Sequence, residues 1–302
     1  MPMRLSVLSG PLLCVTMLGL SVPGSARAKE DAVYVYDLFR EANDCAELFA
    51  RLRQLPLRPT VILSVEQGAE FVLDHPTGEA RLTCVLRFLR ASSRKVKALF
   101  LQDPAFLERN EEADRRAALL GEFIKRHPKL LSGAQVDVEP YGDETWNERS
   151  AEERRRLLQD LHELLRRIRP HLRGLPLGAA IPWWYAELAG QFPEAAPEAL
   201  SRVVDELYLM AYGDEEQPIV GNVAARLLTW IVGAPIFSRS GRMHVVLATY
   251  EFPSQAHLEA ELKKVRRLLA SRPNFAGTAV FHAASGFHTI QLNSPSAPSG
   301  GP

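Results

Sequence analysis

The sequence predicts an α/β protein built as a single (β/α)8 TIM barrel. Three observations predict it. Eight short runs rich in β-branched and aromatic residues recur along the chain, amphipathic helical patterns lie between them, and the chain has 302 residues. Setting aside the two ends leaves roughly 260 residues, the size of one such barrel. Strands that alternate with helices pair in parallel, and eight units in one domain favour closure over an open sheet. Neither a GxGxxG nor a GxxxxGK[ST] loop occurs, which weighs against a dinucleotide-binding doubly wound sheet.

Residues 1–28 read as a secretory signal. Arg4 supplies the positive start, Leu5 to Val22 is mainly apolar, and Pro23, Gly24 and Ser25 break the run. Ala26-Arg27-Ala28 then matches the small-x-small cleavage rule. The alternative is an uncleaved anchor, for which the apolar stretch is short and interrupted. Cleavage would make the protein exported, either periplasmic or secreted. The barrel domain is expected over 29–293, and the Ser, Pro, Gly and Ala tail 294–302 is expected to be disordered.

The eight strand runs follow in order. They are Val33–Leu38, Thr60–Val65, Val96–Leu101 and Ala134–Glu139, then Leu177–Pro182, Glu206–Met210, His244–Thr249 and Gly277–Phe281. The clearest helix is Ala151–Ile168, with Leu157, Leu158, Leu161, Leu164, Leu165 and Ile168 on one stripe and Arg and Glu opposite. Glu111–Arg126 and Gln255–Ala270 have the same period. Pro128, Pro170 and Pro273 stop helices shortly before the next strand.

Composition bounds the function. The chain carries 36 basic and 36 acidic residues, so its formal net charge is zero. That balance gives no reason to expect nucleic acid or an anionic membrane as partner, and a neutral carbohydrate fits it. No segment after the leader is apolar enough to span a bilayer. Removing the leader leaves Cys45 and Cys84, on neighbouring predicted helices. Export permits a disulfide between them, and two buried thiols are the alternative.

In a barrel of this kind the active site lies at the carboxyl ends of the strands. Those ends are unusually rich in polar and aromatic groups: Asp37, Gln102, Asp137-Val138-Glu139-Pro140-Tyr141, Trp183-Trp184, Tyr212-Gly213-Asp214, Glu251 and His282. Asp137 and Glu139 are two apart on a strand and face the same way, roughly 6–7 Å apart at Cα. Two such carboxylates repel, so one keeps its proton to higher pH. A protonated Glu beside an ionised Asp is what acid cleavage of a glycosidic bond requires. A solvated or salt-bridged pair without chemistry is the plainer reading. Trp183 and Trp184 can stack on sugar rings or pack in the core. Tyr212 and Asp214 can stand near a reacting carbon, or be a packed ring and a helix cap. Glu251 can be a second catalytic carboxylate or bind a hydroxyl. Asp37, Gln102, Tyr141 and His282 complete the candidate substrate contacts, and Trp146 is a weaker stacking candidate. Catalytic zinc usually takes two or three histidines, and the strand ends carry few, so neither metal nor cofactor is expected.

The run AQVDVEPY resembles the strand-4 motif of family 18 glycoside hydrolases, D-x-x-D-x-D-x-E, whose final Glu is the general acid. LMAYGD resembles that family's M-x-Y-D motif. Ser132 and Gln135 stand in place of the earlier aspartates, and Phe281 or His282 in place of the strand-8 tryptophan. The chain is also similar to a group of bacterial barrels with H-x-D-x-E-P-Y, I-P-x-W-Y and M-A-Y-x-D motifs, read here as VDVEPY, IPWWY and MAYGD. The resemblance implies a substrate-assisted retaining mechanism. Glu139 would protonate the leaving oxygen, and the N-acetyl group of a 2-acetamido sugar would attack the anomeric carbon, oriented by Asp137 and Tyr212. A substrate without that group would need Asp214 or Glu251 as nucleophile or base. The expected function is hydrolysis of an envelope or extracellular glycan, and the alternative is a degenerate barrel that binds carbohydrate without cleaving it.

Overall fold

The computed structural model describes residues 29–40, 44–54, 58–142, 144–213, 223, 226–227 and 241–281. The leader, Asp214, His282 and the tail lie outside the described residues. The strands are β1 (Glu30–Val35), β2 (Thr60–Ser64), β3 (Glu66–Gln67), β4 (Glu70–Phe71), β5 (Lys95–Phe100), β6 (Gly133–Val136), β7 (Leu177–Pro182), β8 (Glu206–Met210), β9 (Arg242–Ala248) and β10 (Phe275–Phe281). Eight of them close into a barrel in the order β1-β10-β9-β8-β7-β6-β5-β2, each pair parallel. β3 and β4 form a small antiparallel ribbon beside it. The helices are α1 (Cys45–Gln54), α2 (Gly78–Ala91), α3 (Asn110–Arg126), α4 (Ala151–Ile168), the short α5 (Tyr185–Leu188) and α6 (Pro197–Leu200), and α7 (Gln255–Leu268). This is the single (β/α)8 barrel that the sequence predicts. No described helix is long and apolar enough to cross a membrane.

Local sequence explains the elements. β2, β7 and β8 are buried at every residue, as strands covered on both faces should be. α4 begins with a capping box in which Ser150 and Glu153 satisfy each other's backbone N–H groups. Its leucine stripe, with Leu158, Leu161, Leu164, Leu165 and Ile168, packs into the layer between barrel and helices. Gly277 makes closure possible. Its φ is +149, and a Cβ there would sit 1.7 Å from the Glu30 carbonyl oxygen, so only glycine lets β10 approach β1.

Five strands end earlier than the sequence predicts, β2, β5 and β9 by one residue and β1 and β6 by three. β1 stops at Val35 because Asp37 adopts a left-handed φ of 50, which turns Leu38 and Phe39 under the barrel wall into the core. β6 stops at Val136, and Pro140–Gly142 folds into a 3-10 turn. The Asp137 N–H nonetheless bonds the Leu101 carbonyl at 3.2 Å, so the inward alternation persists past the last paired residue. Cys45 and Cys84, for which sequence leaves two states open, are joined, with Cα atoms 6.1 Å apart.

The barrel interior is layered. Near the amino ends of the strands Lys97 pairs with Glu206, both almost fully buried. Lys97 Nζ donates to the Tyr208 hydroxyl at 2.8 Å, and that hydroxyl donates to Glu206 at 2.9 Å. His244 stacks on Tyr208 with centroids 4.5 Å apart, and burial holds its ring well below the usual histidine range, hence neutral. Above this layer lie Ala32, Tyr34, Ile62, Leu99, Val246 and Ala279, with Tyr36, Tyr212 and Phe281 packed against them.

Candidate active site

Asp137 and Glu139 stand at the carboxyl end of β6, each half-buried. The Asp137 Oδ1 atom is sealed from solvent without a hydrogen-bond partner. Burial pushes the Asp137 carboxyl up to about 6, and a hydrogen bond with Glu139 pulls the other way. Burial wins, so the Asp137 carboxyl keeps its proton to higher pH than a free carboxyl, beside a Glu139 to which it is hydrogen-bonded.

Tyrosines surround the pair. Tyr34, Tyr36 and Tyr212 all have their hydroxyls raised well above the ordinary range, by burial first and then by the charge of Asp137, with Glu139 contributing. Tyr141 and Tyr185 are raised in the same way, with Glu139 as the leading charge. The rings pack as one cluster. Tyr212 lies parallel to Phe281 at 5.4 Å, and Phe281 meets Tyr36 edge-on at 5.4 Å. Gln135, at the position where the resembling family has an aspartate, donates its Nε2 to the Tyr34 hydroxyl at 2.6 Å. Ser132, at the other such position, donates to the Val96 carbonyl.

Of the residues singled out from sequence, Asp137, Glu139, Tyr141 and Tyr212 come together here. Trp184 joins them by packing edge-on against Tyr141 at 4.7 Å and Tyr185 at 5.2 Å. Trp183 is half-buried beneath the Arg226 guanidinium, 5.7 Å from its centroid. Gln102 is drawn downward: its Nε2 donates to Ser64 Oγ at 2.8 Å and to Glu66, while Glu66 also accepts the N–H groups of Leu101 and Gln102. Asp37 opens the turn after β1, its carbonyl accepting from the Arg40 N–H at 3.1 Å. Glu251 is only 2% exposed. Its Oε1 accepts the Gly213 N–H at 2.6 Å and lies 3.6 Å from Arg226 Nη2. Trp146 is buried and packs in the core. Asp214 and His282 lie outside the described residues. A groove of about 550 Å³ on the outer helical layer, lined by His162, Arg166, Glu194 and Arg202 among others, contains none of these residues.

Sequence reasoning passed over Tyr34, Tyr36 and Tyr185. The first two were legible as V-Y-V-Y, whose alternation puts both rings on one strand face. Tyr185 directly follows the two tryptophans and is the buried member of the three.

The fold has many solved counterparts. A GH18 chitinase from Pseudoalteromonas aurantia superposes with a TM-score of 0.54 at 13% identity, over 84% of this chain and 94% of that one. The C-terminal domain of a chitinase candidate from Desulfitobacterium hafniense gives 0.51 at 16% identity, over 72% of this chain and 66% of that one. A β-mannanase from the blue mussel Mytilus edulis gives 0.50 at 10% identity, over 84% and 86%. No protein-family model matches the chain, and no curated protein matches it by sequence. At these identities the likeness is one of fold alone, a closed (β/α)8 barrel.

Proposed function

We propose that this chain is a glycoside hydrolase acting on a glycan outside the cytoplasm, with Glu139 as general acid. One observation carries the reading: at the mouth of the barrel Asp137, its carboxyl pushed up to about 6 by burial, is hydrogen-bonded to Glu139, an arrangement suited to two carboxyls holding one proton between them. Glu139 gives that proton to the leaving oxygen, and Asp137 stabilises the charge that develops. An inverting enzyme needs its two carboxyls about 6.5–9.5 Å apart, with water between them. A directly bonded pair leaves no such space. Glu251 is committed to Gly213 and Arg226. With Glu251 so held and Asp214 outside the described residues, we take the nucleophile to be the one the family resemblance implies, the carbonyl oxygen of a 2-acetamido sugar, which attacks the anomeric carbon while Asp137 and Tyr212 orient the group. Trp184 and Tyr141 offer ring faces for stacking.

The test is a glycan-array screen of the Glu139→Gln variant, followed by product analysis of the wild type on the hits. Turnover should fall by about 10²–10⁴-fold in the variant, the usual contribution of one general acid, while binding persists. A wild type that binds a glycan and never cleaves it overturns the hydrolase reading in favour of a carbohydrate-binding barrel.

A further inference from the structure

The last sheet bond made by the strand carrying Tyr212 is from the Ala211 N–H to the Val246 carbonyl, at 2.9 Å. Beyond it, Tyr212 and Gly213 have left the regular ladder. Two consecutive residues of the turn after β9 hold them. The Tyr250 hydroxyl donates to the Gly213 carbonyl, and Glu251 Oε1 accepts the Gly213 N–H at 2.6 Å. Gly213 is therefore held at both its backbone polar groups. Tyr250 also meets the Tyr212 ring edge-on at 6.1 Å.

Glu251 reaches in a second direction. A carboxylate only 2% exposed needs a compensating charge, and Arg226 supplies one at 3.6 Å. The guanidinium of Arg226 in turn lies over the Trp183 ring. One buried carboxylate thus links the ends of three adjacent strands, β7 through Trp183, β8 through Gly213 and β9 through its own backbone.

We propose that Glu251 is a positioning residue: it touches no substrate and sets where Tyr212 and Trp183 stand at the barrel mouth. This rests on the hydrolase reading for its kinetic consequence and not for its structural one. A hydrogen bond to a charged group contributes enough to change binding about tenfold, which sets the scale of the effect.

The test uses the full chain with Glu251→Gln and Glu251→Ala. The amide keeps an acceptor for the Gly213 N–H, so Glu251→Gln should recover most of the wild-type kcat. Glu251→Ala should raise KM by about tenfold, and added azide or formate should not restore turnover. Equal inactivity of both variants, with rescue by azide or formate, would make Glu251 a reacting carboxylate and overturn the proposal. A readout independent of turnover is the Trp183 contribution to fluorescence, isolated by difference against Trp183→Phe. Glu251→Ala should increase its quenching by acrylamide at a temperature where circular dichroism shows the barrel folded. An unchanged Trp183 signal sinks the linkage even if glycan is cleaved. A changed signal in a protein that cleaves no glycan leaves the linkage standing and removes the hydrolase reading.

Discussion

Replacing Asp137 with Asn should make the protein more stable at neutral pH, and the gain should vanish in acid. Burial raises the Asp137 carboxyl from an ordinary 3.8 to about 6. The folded chain therefore holds this proton more tightly than the unfolded chain does. Below about pH 4 the carboxyl is protonated in both states, and a neutral amide of the same shape changes little. As pH rises through about 6 the unfolded chain has already released its proton, so the wild type loses stability that the Asn variant keeps. The rise corresponds to about 3 kcal/mol in full, and half-burial of the residue makes about 2 kcal/mol the more realistic figure. Guanidinium unfolding of both proteins from pH 4 to pH 8 measures it, as a difference in midpoints at constant slope. A difference that does not depend on pH, or an Asn variant less stable at pH 8, would refute a buried proton-sharing pair and remove the electrostatic basis for Glu139 as an acid.

Three other outcomes follow from the same structure. Tyr34→Phe strips the hydroxyl that accepts from Gln135 Nε2 at 2.6 Å and should lower stability by about 1–3 kcal/mol, measured by denaturant unfolding, through a buried amide left unpaired. Lys97→Met leaves Glu206 buried without its main counter-charge; thermal and chemical unfolding should register a loss of about 3–5 kcal/mol, partly restored in a Lys97→Met, Glu206→Gln double variant. Joint replacement of Cys45 and Cys84 by Ser opens a loop spanning 39 residues and should destabilise by about 4 kcal/mol on loop entropy, and reduction of the wild type should reproduce the shift in midpoint.

The barrel was legible because most of its strands leave a local trace. β7 and β8 have the limits predicted from their continuous apolar runs, and α4 has its predicted ends because Ser150 caps one of them and Pro170 follows the other. The carboxyl ends misjudged by more than one residue, those of β1 and β6, are set by backbone events that β-propensity does not register, the left-handed Asp37 and the turn at Pro140. The acid pair was legible from its spacing of two. Gln135 was read only as a missing aspartate, since its partner Tyr34 lies 101 residues away and closure of the barrel is what brings them together. Glu251 shows the converse limit. A glutamate at a strand end looks the same in sequence whether it meets a substrate or a backbone N–H 38 residues distant, and only its burial separates the two.

The distribution of charge along the barrel axis explains why the pair can keep a proton at all. A lysine or arginine beside Asp137 would draw its carboxyl down, and the groups that move Asp137 among the described residues include no cation, only burial and Glu139. The interior cation Lys97 sits at the other end of the strands, held by Glu206, and Arg242 lies between Glu206 and Glu30. Around the acids stand Tyr34, Tyr36, Tyr141, Tyr185 and Tyr212, each raised above the ordinary tyrosine range. Hydroxyls in that state donate hydrogen bonds and do not become competing bases at any pH where the barrel would work. Asp137, pushed up to about 6 by burial, thus titrates among hydroxyls that stay neutral. The proposed acid role of Glu139 is supported by what surrounds it: aromatic rings, hydroxyls that stay neutral, and an Arg226 guanidinium that faces Glu251 and Trp183.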